Sequence, residues 1–197
     1  MTKNDKKIIL ASASPRRKEL LKTLVDSFTV LPSGTAEVTL EGDLIGTAVT
    51  NAKLKAEDVY KKHGGIVIGA DTVVELSGIM YGKPADADDA RRMLRALSGK
   101  KHRVCTGVCV VSEKECSVAH SVSVVTFNAL SDALLEEYIA TGKPLDKAGA
   151  YGIQDDPRLI ASYTGYLDNI VGLPVEVLGT LLKTHQDYLS RKWNEGE

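Results

Sequence analysis

The chain has little that would mark it as secreted, membrane-spanning or disulfide-stabilised. Of its 197 residues only Cys105, Cys109 and Cys116 are cysteines, too few for a disulfide framework. Their odd number leaves at least one unpaired, and a reducing compartment is expected. No His or fourth thiol stands at zinc-ligand spacing near Cys105 and Cys109, which read as small apolar residues of a strand. The polar start MTKNDKK is followed by only four apolar residues before Ser12, so no signal-peptide core is visible. The longest charge-free stretch, Cys116 to Ser131, is rich in Ser and Thr and is no membrane span, so a soluble, cytoplasmic protein is expected. An excess of one charge is also missing: 25 Lys plus Arg meet 26 Asp plus Glu. Binding to a nucleic-acid polymer relies on such an excess, so any anion must be held locally. Walker A and GxGxxG motifs are absent, and Leu97-Ser98-Gly99-Lys100 lacks the upstream glycine of the former. His63, His102, His120 and His185 are scattered, and no Ser/His/Asp or metal triad can be read from them.

What is present is an alternation of strands and helices of single-domain size, residues 1–197, with room for two closely joined lobes. No low-complexity linker divides it. Ile8 to Ala11 reads as a buried strand leading into a helix capped by Ser14, with Pro15 at its first position and Leu20, Leu21, Leu24 and Val25 as its apolar stripe. A second amphipathic helix is predicted from about Ala48 to Tyr60, then a central strand from Ile66 to Ala70 that stops at Asp71-Thr72. Asp86 caps a helix whose buried face is Ala90, Met93, Leu94 and Leu97. Val104 to Val111 and Val118 to Phe127 should pair as a hairpin. A helix from Asp132 to Thr141, a Gly-rich loop from Lys147 to Gln154, a short strand near Leu159 and a helix from Val175 to about Arg191 complete the chain. This pattern predicts an α/β fold with a mixed sheet flanked by helices.

Several separate places carry the material for chemistry. The helix N-terminus at Ser14, with Arg16 and Arg17, is a phosphate site in outline, and equally a plain cap with solvated arginines. Asp71, where a hydrophobic strand meets a loop, is placed to hold a metal or orient water, or simply to start a turn. Lys55 and Lys83 are further cations for a phosphate chain, or more simply solvated lysines, and Gln154 has the donors and acceptors to read a base edge in a loop that is otherwise a plain Gly-containing connection.

The motifs LASASPRR (Leu10 to Arg17), IGADTVV (Ile68 to Val74), YGKPAD (Tyr81 to Asp86), DDARRMLRALSGKKHRVCTGV, DKAGAYGIQ (Asp146 to Gln154) and NIVGLP (Asn169 to Pro174), in this order along nearly the whole chain, resemble the Maf family of nucleoside triphosphate pyrophosphatases. The resemblance implies a deep nucleotide-binding cleft in an architecture like that of the inosine triphosphatases. It implies Mg- or Mn-dependent cleavage of a nucleoside triphosphate, most of all dTTP or UTP or their modified forms, to the monophosphate and pyrophosphate; the alternative is a nucleotide-binding regulator of cell division without turnover. By the same resemblance Asp71 and Lys83 are catalytic, Asp71 and Glu37 hold the metal, and Ser14, Arg17, Lys55 and Lys83 bind phosphate. Arg16, Thr72 and Gln154 select the base, as in the dTTP/UTP branch. A homodimer is also implied. Two stretches depart from the family pattern: Ala36-Glu37 stands where an acidic pair is usual, and Tyr166-Leu167-Asp168 where a Ser-Tyr-Ser-like run is usual.

Overall fold

The computed structural model describes residues 7–194, with side chains through residue 185; the polar residues 1–6 lie outside the described residues. Thirteen helices and strands follow one another: β1 (Ile8–Leu10), α1 (Pro15–Leu21), β2 (Thr29–Val30), α2 (Leu44–His63), β3 (Ile66–Leu76), β4 (Ile79–Tyr81), α3 (Ala87–Leu97), β5 (Lys101–Val111), β6 (Cys116–Phe127), α4 (Asp132–Ala140), β7 (Ile160–Thr164), α5 (Leu167–Val171) and α6 (Val175–Asn194). Short 3-10 turns at Lys143–Asp146 and Ala148–Ala150 fill the connection after α4. No helix among the described residues is long and apolar enough to cross a membrane.

The seven strands form one sheet in the order β2-β1-β3-β5-β6-β7, with β4 also on β3. β1 runs parallel to β2 and β3, and the remaining pairs are antiparallel, so the expected mixed sheet is present. Three element boundaries differ from those expected. Asp71 does not end its strand: β3 continues to Leu76, because Thr72-Val73-Val74 is itself a β-branched run and β4 folds back to pair with its last residues. The helix at Ser14 ends at Leu21, and Leu24 and Val25 lie in the turn beyond it, where Val25 is still buried. α2 also begins earlier than the periodicity suggests, at Leu44, because Asp43 Oδ1 accepts the Gly46 N–H at 2.8 Å and caps it there.

β3 holds the key to the site. Along one edge its first residues pair with β1 (Ile66 to Ile68) and its last with β4 (Val74 to Leu76), while β5 runs along the other edge. Between Ile68 and Val74 the first edge has no strand beside it, and a cleft opens there. Side chains alternate across β3, so Gly69, Asp71 and Val73 face α2 while Ala70, Thr72 and Val74 face the opposite side.

On the α2 face the approach is unusually close. A Cβ placed on Gly69 would meet Ala52 O at 2.1 Å, and one on Gly107 would meet Ala48 C and O at 2.5 Å. The fully buried Ala48, Ala52 and Ala56 form the matching stripe on α2. Cys105 and Cys109 lie buried in β5 beneath this helix, the small-residue role expected of them. On the other face one core joins Ile8, Ile66, Ile68 and Val108 to α1 and α6, and a second joins Val74, Val104, Phe127 and Tyr151 to α3 and α4.

Gly107→Ala pushes a methyl group into the α2 backbone and should cost about 1–3 kcal/mol, read from urea denaturation. In the second core His102 packs edge-on against Phe127 and Tyr151, and burial lowers its pKa to about 4. The unfolded chain, with an ordinary pKa near 6.5, therefore binds a proton that the folded chain refuses. Stability should fall as pH drops from about 6.5 to about 4, and His102→Gln should flatten that part of the curve.

Candidate functional site

The cleft has a volume of about 420 Å³ and is lined by Ser14, Arg16, Arg17, Glu37, Lys55, Asp71, Thr72, Lys83 and Gln154, so every site residue singled out from the sequence reaches one space. A volume of this order suits a small-molecule ligand.

Its charged centre is built around α2. Lys55 Nζ donates to Asp71 Oδ1 and to Glu37 Oε1, each at 2.6 Å. Asp71 is buried, and its other oxygen accepts from Asn51 Nδ2 at 3.2 Å. Asn51, one turn before Lys55 on the same helix, also accepts the Val38 N–H at 2.8 Å and donates to Val38 O at 2.9 Å. A turn earlier, Thr47 Oγ1 accepts the Leu40 N–H. The Thr47, Asn51 and Lys55 stripe thus fastens the loop that carries Glu37 against α2 and sets Glu37 opposite Asp71. Partial burial pushes the Glu37 carboxyl up, but the Lys55 hydrogen bond and charge, aided by Lys83 and Arg17, hold it below the ordinary value. Lys83 Nζ is 4.0 Å from the same Glu37 oxygen and is largely exposed.

The arginines differ. Arg17 turns inward: Nε donates to Gly172 O at 2.8 Å, Nη1 to Ser12 Oγ at 3.3 Å and Nη2 to Thr72 Oγ1 at 3.0 Å. With three of its five N–H groups engaged, it keeps two for a ligand. Burial pulls its pKa below the usual arginine value, while the Asp71 charge works against that shift. Arg16 instead reaches across the cleft to Asp146, Nη1 to Oδ2 at 2.9 Å. Asp146 also accepts from the buried Lys147 Nζ at 2.7 Å, which is 3.2 Å from Asp155 Oδ2. Burial raises the Asp146 carboxyl, and the two cations bring it below its normal range. This network fixes the loop on which Gln154 stands exposed at the cleft wall. Ser14 Oγ accepts the Arg17 N–H at 3.4 Å, so in this structure it serves as the helix cap.

Asn51, Asp146, Lys147, Thr106 and Asn169 support the site without having been singled out from the sequence. Thr106, Asp146, Lys147 and Asn169 fall within the motifs quoted above, whereas Asn51 carried a different signal: with Thr47 it is a polar residue repeating every four positions toward Lys55, beside an all-alanine stripe.

A protein-family model described as "Maf-like protein" matches residues 7–185. A dTTP/UTP pyrophosphatase of Thermococcus gammatolerans is 45% identical over 185 residues, covering 93% of this chain and 100% of that protein. A dTTP/UTP pyrophosphatase of Alkaliphilus oremlandii is 48% identical over 188 residues, covering 92% and 97%. Among solved structures, a HAM1 protein from Coxiella burnetii matches with a TM-score of 0.50 at 15% identity, over 90% of this chain and 98% of that one, a likeness of fold.

Asn51→Leu removes the clamp and strands polar groups of Val38 and Asp71. It should cost about 1–3 kcal/mol in urea denaturation, and the Glu37 loop should become protease-sensitive ahead of global unfolding, as read by limited proteolysis.

Proposed function

Because the chain belongs to the Maf family, we propose that it hydrolyses nucleoside triphosphates, dTTP and UTP foremost, releasing the nucleoside monophosphate and pyrophosphate. The observation that carries this reading is the Lys55 ammonium seated between the Asp71 and Glu37 carboxylates, in a cleft whose other walls hold Lys83, Arg16, Arg17, Thr72 and Gln154. The names of the two relatives support the same substrates.

A divalent cation fits this donor set. Two hard carboxylate oxygens, Asp71 Oδ1 and Glu37 Oε1, already share a cation. That is the setting of a magnesium or manganese ion that completes its shell with substrate phosphate and water. Asp71 and Glu37 would hold it. What such an ion supplies when bound is charge neutralisation on the phosphate oxygens and a more acidic water.

The chain's own residues do the rest. Lys83 and the two unengaged N–H groups of Arg17 meet phosphate oxygens, and Lys55, drawn off Glu37, joins them; the Ser14 turn holds the near end of the chain. Asp71 orients the attacking water toward the α-phosphorus and accepts its proton. The bond to the bridging α–β oxygen breaks, and pyrophosphate leaves with that oxygen. Arg16, Thr72 and Gln154 select the base, since a polar group left unpaired by the wrong base carries a penalty.

The test is a product assay with each nucleoside triphosphate and magnesium, modified pyrimidines included. Monophosphate and pyrophosphate should appear in equal amounts, and Asp71→Asn should lower kcat by about two to four orders of magnitude. Release of orthophosphate alone, or binding without turnover as in a pure regulator, overturns the reading.

A further inference from the structure

The hydroxyl groups beneath the cleft form a chain whose direction is set by donor and acceptor chemistry. Thr106 and Asn169 are both fully buried. Thr106 Oγ1 lies 2.7 Å from the Asn169 backbone carbonyl oxygen, and the Thr106 N–H donates to Asn169 Oδ1 at 3.0 Å. A carbonyl only accepts, so the single Thr106 hydroxyl proton is committed to Asn169 O. The Gly172 and Leu173 N–H groups that follow in the chain both bond to Asp168 O instead. Asn169 cannot easily turn away, because its Nδ2 donates to Val104 O at 3.1 Å and to Ser123 Oγ at 2.8 Å.

Thr72 Oγ1 is 2.9 Å from Thr106 Oγ1. With its own proton spent, Thr106 can only accept there, so Thr72 donates. Arg17 Nη2, which can only donate, takes one lone pair of Thr72 at 3.0 Å. Of the one donor and two acceptor valences of the Thr72 hydroxyl, a single lone pair remains. Thr72 lines the cleft, so toward a ligand it is an acceptor and not a donor. Gly172 leaves room beside it, since a Cβ there would stand 3.2 Å from Thr72 Oγ1.

We propose that Asn169 and Thr106 are positioning residues for base selection: they hold Thr72 as a fixed acceptor for the N3–H of a uracil or thymine ring, against cytosine, whose N3 carries a lone pair. The proposal rests on the nucleotide-hydrolysis reading above and deepens it. Uracil and thymine present the same N–H between two carbonyls, so a fixed acceptor treats them alike. Cytosine sets acceptor against acceptor in a partly buried place, where no proton is available to join them. Without the relay the Thr72 hydroxyl is free to rotate and serves either ring.

The experiment compares kcat/KM for UTP and CTP in the wild type, Thr106→Val and Thr106→Ser. The wild type should prefer UTP, Thr106→Val should narrow that preference by about tenfold or more, and Thr106→Ser should restore it. A purely structural role would lower both activities together. A Thr106→Val enzyme with the wild-type ratio overturns the relay, as does a wild type indifferent between UTP and CTP. Should Thr106→Val fail to fold, calorimetric titration of the wild type with UMP and CMP decides, equal affinities overturning the proposal. A wild type that turns over no nucleotide sinks the hydrolysis reading, and the same titration still tests the acceptor at Thr72.

Discussion

The close seat of α2 on the sheet is the constraint from which the rest of the molecule follows. Side chains normally hold a helix well clear of the strands beneath it. Here Gly69 and Gly107 remove them on one side, and Ala48, Ala52 and Ala56 keep them small on the other. The helix backbone then lies almost on the strands. In that position Asn51 and Lys55, projecting from the flank of α2, reach Asp71 in β3 directly. A helix held further out would leave Asp71 a buried carboxylate without a partner, a costly arrangement.

Charge in the cleft is balanced in pairs rather than spread. Lys55 serves two carboxylates, Arg16 and Lys147 share Asp146, and Arg17 is held mostly by neutral oxygens. Lys55 and Arg16 are fixed by carboxylates that a polyanionic ligand can replace, while Arg17 keeps its neutral partners and two further N–H groups. In the proposed reaction an incoming phosphate chain would meet cations already placed, the cost of ordering them having been met during folding. The near-zero net charge of the whole chain is compatible with this, because the attraction is confined to a small space.

Much of this was legible in the sequence and some was not, for physical reasons. Strands and helices with strong periodicity, such as α3 with Ala90, Met93, Leu94 and Leu97 on its buried face, could be read outright. The cap at Ser14 and the hairpin of β5 and β6 could be read as well. The course of β3 through Asp71 could not, since a lone carboxylate in an apolar run looks like a strand end until its partners on α2 are known. Two-residue β2 and five-residue α5 are too short to carry a period. The residues that line the cleft are legible by type, whereas those behind them, Thr106, Asn169 and Lys147, act through contacts 34 or more residues away, or through burial, which spacing along the chain does not encode.

The interrupted edge of β3 has one further consequence. From Gly69 to Val73 the strand lacks a neighbour on the cleft side, yet β1 closes the gap at one end and β4 at the other. Open strand edges are templates on which other chains add and aggregate. A notch bounded at both ends is too short to seat a foreign strand but long enough to admit a small molecule. The protein thus keeps an unpaired stretch of backbone in the middle of its sheet without the self-association hazard that an edge of the same composition would bring.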